Sequence, residues 1–223
     1  MPAMASLVQD LWLGWEPRLR GRRLAPWEEP RVRLLFHPDA AATLDDAALA
    51  GFLEALAERL EVIAWEPRGQ GGSAGRFGAE LLDDARRLVR EGSSRWSDLP
   101  LVVGGHGLGG WLALALADAP GVIAAFALAP SLAGAGPEPS SSLRTALAAA
   151  AARPPLVVPT LVVEGRERPA AEAEAVSQWV AREPRASRLV AGGVDSSLLA
   201  PPWPAALAAW AEAVGTATRE GLA

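Results

Sequence analysis

Residues Leu101–Asp118 read LVVGGHGLGGWLALALAD. The short apolar run Leu101-Val102-Val103 predicts a strand, and the apolar pattern Trp111–Ala117 predicts a helix. Between them lies a cluster of glycines, so the stretch reads as strand, tight turn, helix. Glycine lets the chain reverse sharply and lets strand and helix backbones approach closely. The spacing Gly105-His106-Gly107-Leu108-Gly109 is that of G-x-S-x-G, a turn that presents a nucleophilic serine, with Gly107 in the serine position. Gly105, Gly107 and Gly110 also satisfy G-x-G-x-x-G, the dinucleotide fingerprint. That reading requires an acid at the end of the next strand, about 20 positions on. The next apolar run, Val122–Leu128, is followed by Ala129-Pro130-Ser131 instead. Two strand–helix units also precede the glycines, whereas the fingerprint usually opens its domain. A third reading takes the segment as a packing turn and nothing more.

Working outward, Val32–Phe36 predicts a strand ending at His37-Pro38. A helix follows over Asp45–Leu60, with Leu49, Phe52, Leu53, Leu56 and Leu60 at helical spacing and Asp45 or Thr43 as its cap. Val62–Trp65 is the next strand, and Phe77–Glu91 an amphipathic helix. Beyond the glycine turn, strands are expected at Val122–Leu128, Thr160–Glu164 and Ser187–Val190, and helices at Ala171–Arg182 and Trp203–Thr216. Strands alternating with helices imply a mostly parallel sheet covered on both faces, an α/β fold. Residues 1–30 read as an N-terminal hairpin across Leu11–Trp15 and Leu24–Trp27. The arginines at 18, 20, 22 and 23 are read there as a solvated, ion-paired edge rather than an anion site, with Glu16, Glu28 and Glu29 close by.

The chain has 223 residues, enough for one domain with a large core, and 1–223 is read as a single unit without internal repeats. All 21 basic residues are arginine, and lysine, cysteine, tyrosine and asparagine are absent. This is the signature of a GC-rich genome and lowers the information in any single Ala or Arg. The net charge of −5 with no sustained basic face argues against nucleic acid as a partner. Without cysteine there is no disulfide framework and no cysteine catalysis. No apolar run reaches the roughly 18 residues of a membrane span. The N-terminus lacks the basic flank of a signal peptide, so a cytoplasmic protein is the expectation. Two isolated histidines are too few for a metal centre, and no cofactor is expected.

The turn at Gly105–Gly110 resembles the G-H-S-x-G-G elbow of the α/β-hydrolase family. A second stretch, Glu66-Pro67-Arg68-Gly69-Gln70-Gly71-Gly72-Ser73, resembles the D-x-R-G-x-G-x-S run after that family's fourth strand, with Glu66 for Asp and one extra glycine. The resemblance spans roughly Val32 to the C-terminus and implies the α/β-hydrolase fold. It also implies a cap inserted at 133–155, a segment with room only for a minimal one. In that family a serine at the elbow attacks an acyl carbon, a histidine after the last strand takes its proton, and an acid orients the histidine. Backbone N–H groups, one from the residue after the nucleophile, form the oxyanion hole.

Carried onto this chain, every member of that triad is replaced. The nucleophile position is Gly107, which has no side chain to acylate. The histidine position falls on Asp195, and no histidine follows His106. The acid position falls on Arg168. The resemblance therefore implies a non-hydrolytic protein that binds a small apolar or acyl ligand, or a protein partner, with His37, Pro38, His106, Leu108 and Asp195 lining the site. An enzyme of another class, a lyase, isomerase or cyclase using Asp195 with His37 or His106, is the alternative. Pro38 stands where the family has the glycine of its His-Gly oxyanion element. Arg168 and Asp195 are expected to face each other as an ion pair across the former catalytic gap.

Overall fold

The computed structural model describes residues 7–14, 16–40, 42–95, 98–131, 145, 156–166, 170–191 and 198–221. They build one eight-stranded sheet in the order β1-β2-β4-β3-β5-β6-β7-β8. The strands are β1 (Leu7–Leu13), β2 (Leu19–Ala25), β3 (Arg33–His37), β4 (Glu61–Trp65), β5 (Leu101–His106), β6 (Val122–Leu128), β7 (Thr160–Gly165) and β8 (Ala186–Ala191). β1 and β2 pair antiparallel, with strands that start earlier than the Leu11–Trp15 and Leu24–Trp27 expected for a hairpin, and β2 joins β4 antiparallel. From β4 to β8 all pairings are parallel. The helices are α1 (Ala47–Ala57), α2 (Leu81–Arg95), α3 (Leu108–Leu116), α4 (Ala170–Arg182) and α5 (Trp203–Arg219). The expected reduced cap, 133–155, lies outside the described residues apart from Thr145.

Alternation along the strands sorts the core into two layers. Leu35, Ile63, Val103, Ala125 and Val162 pack with α2, α3 and α4 on one face. Leu34, Phe36, Val62, Val102, Phe126 and Val163 pack with α1 and α5 on the other. α3 is buried along its whole length, which is why Trp111–Leu116 carries no polar residue at all. The cap of α1 is Asp46, whose carboxylate accepts from the N–H of Ala48 at 2.9 Å and Leu49 at 3.1 Å, in place of the expected Asp45 or Thr43. Asp45 is drawn away by stronger partners. It takes Arg20 in a bidentate pair at 2.6 and 2.9 Å, and Arg22 at 3.1 Å. The arginines of the hairpin are thus paired as expected, but to Asp10, Asp45, Glu61 and Glu66 rather than Glu16, Glu28 or Glu29. Arg18 instead lies over the Trp12 ring, 4.6 Å from its centroid.

The loop after β4 is built around the Glu66 side chain. The Glu66 carboxylate is fully buried and accepts from the N–H groups of Gly72 at 2.6 Å and Leu44 at 2.9 Å. A Cβ on Gly71 would lie 2.2 Å from the same carboxyl group, and Gly71 has φ +50°. Gly71 thus leaves room for the Glu66 carboxyl, while a Cβ on Gly72, the extra glycine, would instead lie 2.8 Å from Arg20 Cδ. Ser73 is structural: its hydroxyl donates to the Glu66 carbonyl at 2.7 Å and accepts from the Arg20 N–H at 2.8 Å. Arg68 closes the loop onto α2 through both oxygens of Asp84, at 2.6 and 2.7 Å.

Candidate functional site

The site lies at the C-terminal ends of the parallel strands, where β5 turns into α3. Gly107 forms the apex with φ +56° and ψ −122°, a conformation that side chains disfavour. Its N–H donates to the Leu128 carbonyl at 3.0 Å, and its own carbonyl accepts from Gly110 and Ser131, each at 3.1 Å. The flanking glycines are required by contact. A Cβ on Gly105 would lie 2.1 Å from the Gly109 carbonyl oxygen, and one on Gly109 would lie 1.9 Å from the His37 carbonyl oxygen. Strand β5, helix α3 and the end of β3 meet backbone to backbone, which is the elbow geometry the spacing anticipates.

The space above the apex is occupied by Asp39. A Cβ on Gly107 would fall 2.4 Å from the Asp39 Cγ, so this carboxylate stands where a nucleophile side chain would leave the turn. Asp39 Oδ1 accepts from the N–H of Leu108 at 2.9 Å and from the N–H of Ala40 at 2.8 Å. Leu108 is the first residue of α3, so an anion is favoured there by the helix terminus. Sequence reasoning stopped at His37-Pro38 and missed Asp39. The available signal was its place in the loop after β3, the segment that supplies the family's second oxyanion donor.

His37 does not sit where a ligand could reach it. It is fully buried, its Nδ1 accepts from Trp65 Nε1 at 2.8 Å, and the two rings meet edge to face. Nε2 is buried without a partner among the described residues. The expectation that His37 binds ligand or trades protons draws no support from this placement. Nor does His37 share a face with His106. In the β3–β5 register His37 lies opposite Gly105, so His106, one residue on, points to the other side of the sheet. Pro38 and Leu108 are buried as well, while His106 is partly exposed. Arg168 and Asp195, including their expected pairing, lie outside the described residues.

Burial pushes the His37 imidazole down to about 3 from its ordinary 6.5. A histidine depressed in the folded state binds its proton preferentially in the unfolded chain. Stability is therefore whole above pH 6.5 and falls as pH drops from 6.5 towards 3, by about 1.4 kcal/mol per pH unit. Denaturant titrations at pH 7 and pH 5 should show wild type losing about 2 kcal/mol more than His37→Gln. Parallel losses in the two proteins would contradict a buried neutral imidazole.

On the far side of the apex, Ser131 Oγ donates to Glu172 Oε1 of α4 at 2.7 Å. The segment after β6 has no acid in sequence, yet α4 delivers one to it, a juxtaposition sequence reasoning also missed. No group of three or more His, Cys, Asp or Glu side chains able to hold a metal occurs among the described residues. A polar depression of about 400 Å³, lined by Glu28, Arg31, Glu58, Arg59 and Glu212, lies at the opposite ends of the strands and shares nothing with the elbow.

The family model described as Serine aminopeptidase, S33, matches residues 48–200. The chain belongs to this α/β-hydrolase family. Solved structures agree on the fold over nearly the full length. TT1662 from Thermus thermophilus is 20% identical with a TM-score of 0.73, covering 95% of this chain and 99% of that one. An alpha-beta serine hydrolase homologue from Coxiella burnetii is 18% identical with a TM-score of 0.70, covering 92% and 96%. Est1E from Butyrivibrio proteoclasticus, solved with ferulic acid, is 15% identical with a TM-score of 0.69, covering 92% and 95%. No curated protein matches by sequence. Among the described residues no helix is long and apolar enough to cross a membrane.

Proposed function

We propose that this protein is a non-hydrolytic member of the α/β-hydrolase family that uses the region around the elbow to bind a small apolar ligand or a protein partner. The observation that carries the reading is the Asp39 carboxylate on the Leu108 N–H above a side-chain-free apex. An acyl transferase needs a nucleophile at that apex and an empty cradle for the developing oxyanion. This chain has glycine at the first and a carboxylate in the second. The alternative of acid–base chemistry through Asp195 draws less support, because His37 is sealed in the core and His106 lies on the opposite face.

The test is covalent labelling. Purified protein incubated with a fluorophosphonate should show no added mass, and activated esters should turn over at the background rate. A stoichiometric adduct on any serine would overturn the reading. Native mass spectrometry of the protein as purified then asks directly for a retained small molecule.

A further inference from the structure

We propose that Asp39 is the specificity-determining residue of this site: its carboxylate is a built-in occupant of the acyl-oxygen cradle, and it shuts carboxylates and ester carbonyls out. The inference rests on the non-hydrolytic reading and narrows it, since it removes acyl ligands from the candidates. An oxyanion cradle is defined by donors about 2.7–3.1 Å from one oxygen. Here two backbone N–H groups from separate segments, Leu108 at the start of α3 and Ala40 in the loop after β3, converge at 2.9 and 2.8 Å on Asp39 Oδ1. The cradle is thus assembled and already filled. The same side chain also takes the volume a residue at position 107 would need, with Cγ 2.4 Å from the built Cβ.

Occupation from within the chain is hard to reverse. Asp39 is tethered one residue from Ala40, so it competes at an effective concentration that a free ligand does not reach in solution. A displaced Asp39 would have to surrender two charge-assisted hydrogen bonds, the one to Leu108 at the N-terminus of α3. An incoming carboxylate would also meet the expelled charge at close range. A ligand of this site must therefore bind without the Leu108 N–H, through apolar contact or through donors of its own.

The experiment is a titration of ¹⁵N-labelled protein with sodium acetate, followed at the Leu108 and Ala40 amides. Wild type should show no saturable shift. Asp39→Ala vacates the cradle, and its two amides should shift saturably, with acetate bound about tenfold or more tighter than to wild type. Asp39→Asn keeps an oxygen on the two N–H groups without the charge, and should behave like wild type. Saturable binding to wild type would overturn the proposal. So would a folded Asp39→Ala that ignores acetate, or an Asp39→Asn that binds it as well as Asp39→Ala does, because exclusion would then be a matter of charge and not of occupation. If Asp39→Ala does not fold, Asp39→Ser provides the vacated cradle. Failure of the non-hydrolytic reading registers separately, as phosphonate labelling of the wild-type protein.

Discussion

Gly109→Ala should cost this protein about 3 kcal/mol or more, a fall of about 6–12 °C in Tm for a domain of this size. The added methyl would lie 1.9 Å from the His37 carbonyl oxygen, 2.5 Å from its carbon and 2.6 Å from the Pro38 carbonyl oxygen. All three are backbone atoms at the end of β3, so no rotamer change relieves the overlap. Helix α3 would have to lift from the sheet, stretching the Leu108–Asp39 and Gly107–Leu128 hydrogen bonds with it. Gly110→Ala is the control, one position along the same helix. Its methyl would meet Pro130 Cβ at 3.1 Å and Ala127 Cβ at 3.4 Å, a contact that a small shift accommodates at about 1 kcal/mol. Thermal or urea unfolding of the two variants measures the contrast directly. Equal losses would mean that the close approach of α3 to β3 is not what the elbow glycines provide.

Gly107→Ser should destabilise by about 2–5 kcal/mol and confer no esterase activity. Part of the loss is conformational, because φ +56° with ψ −122° lies outside the regions open to a serine. The rest is overlap with the Asp39 carboxyl, 2.4 Å from the new Cβ. The two parts separate in a double-mutant cycle. In an Asp39→Ala background the overlap vanishes and only the strain remains, so the same substitution should cost about 1–2 kcal/mol less. Additive losses would show that Asp39 does not press on the apex. Activity should stay at background in both variants, since no histidine follows His106 to take the serine proton.

Much of the architecture was legible because its signals are local. The turn at Gly105–Gly110 declares itself by spacing alone, as the steric demand for glycine arises between residues a few positions apart, such as Gly105 and Gly109. The strand at Val122–Leu128 and the start of α5 at Trp203 coincide with the expected bounds, since apolar periodicity records which face is buried. Helix α2 starts at Leu81 rather than Phe77, because Gly75 at φ +91° and the loop held by Arg68–Asp84 keep the chain irregular up to that point. The cap of α1 moved to Asp46 once Asp45 found arginines from the hairpin, partners 25 and 23 residues away.

By itself the sequence determined the order of strands and helices and the glycine turn at Gly105–Gly110, each written in residues close together along the chain. The tertiary structure alone decided what stands over the Gly107 apex. Asp39 reaches Leu108 across 69 residues, because parallel pairing sets the end of β3 beside the end of β5. The same pairing put His37 and His106 on opposite faces of the sheet and sealed His37 against Trp65. An aspartate two residues after a strand looks like any loop carboxylate until strand order is known. What it does here depends on the Leu108 N–H that the fold aims at it, and that group belongs to a segment that no local pattern links to it.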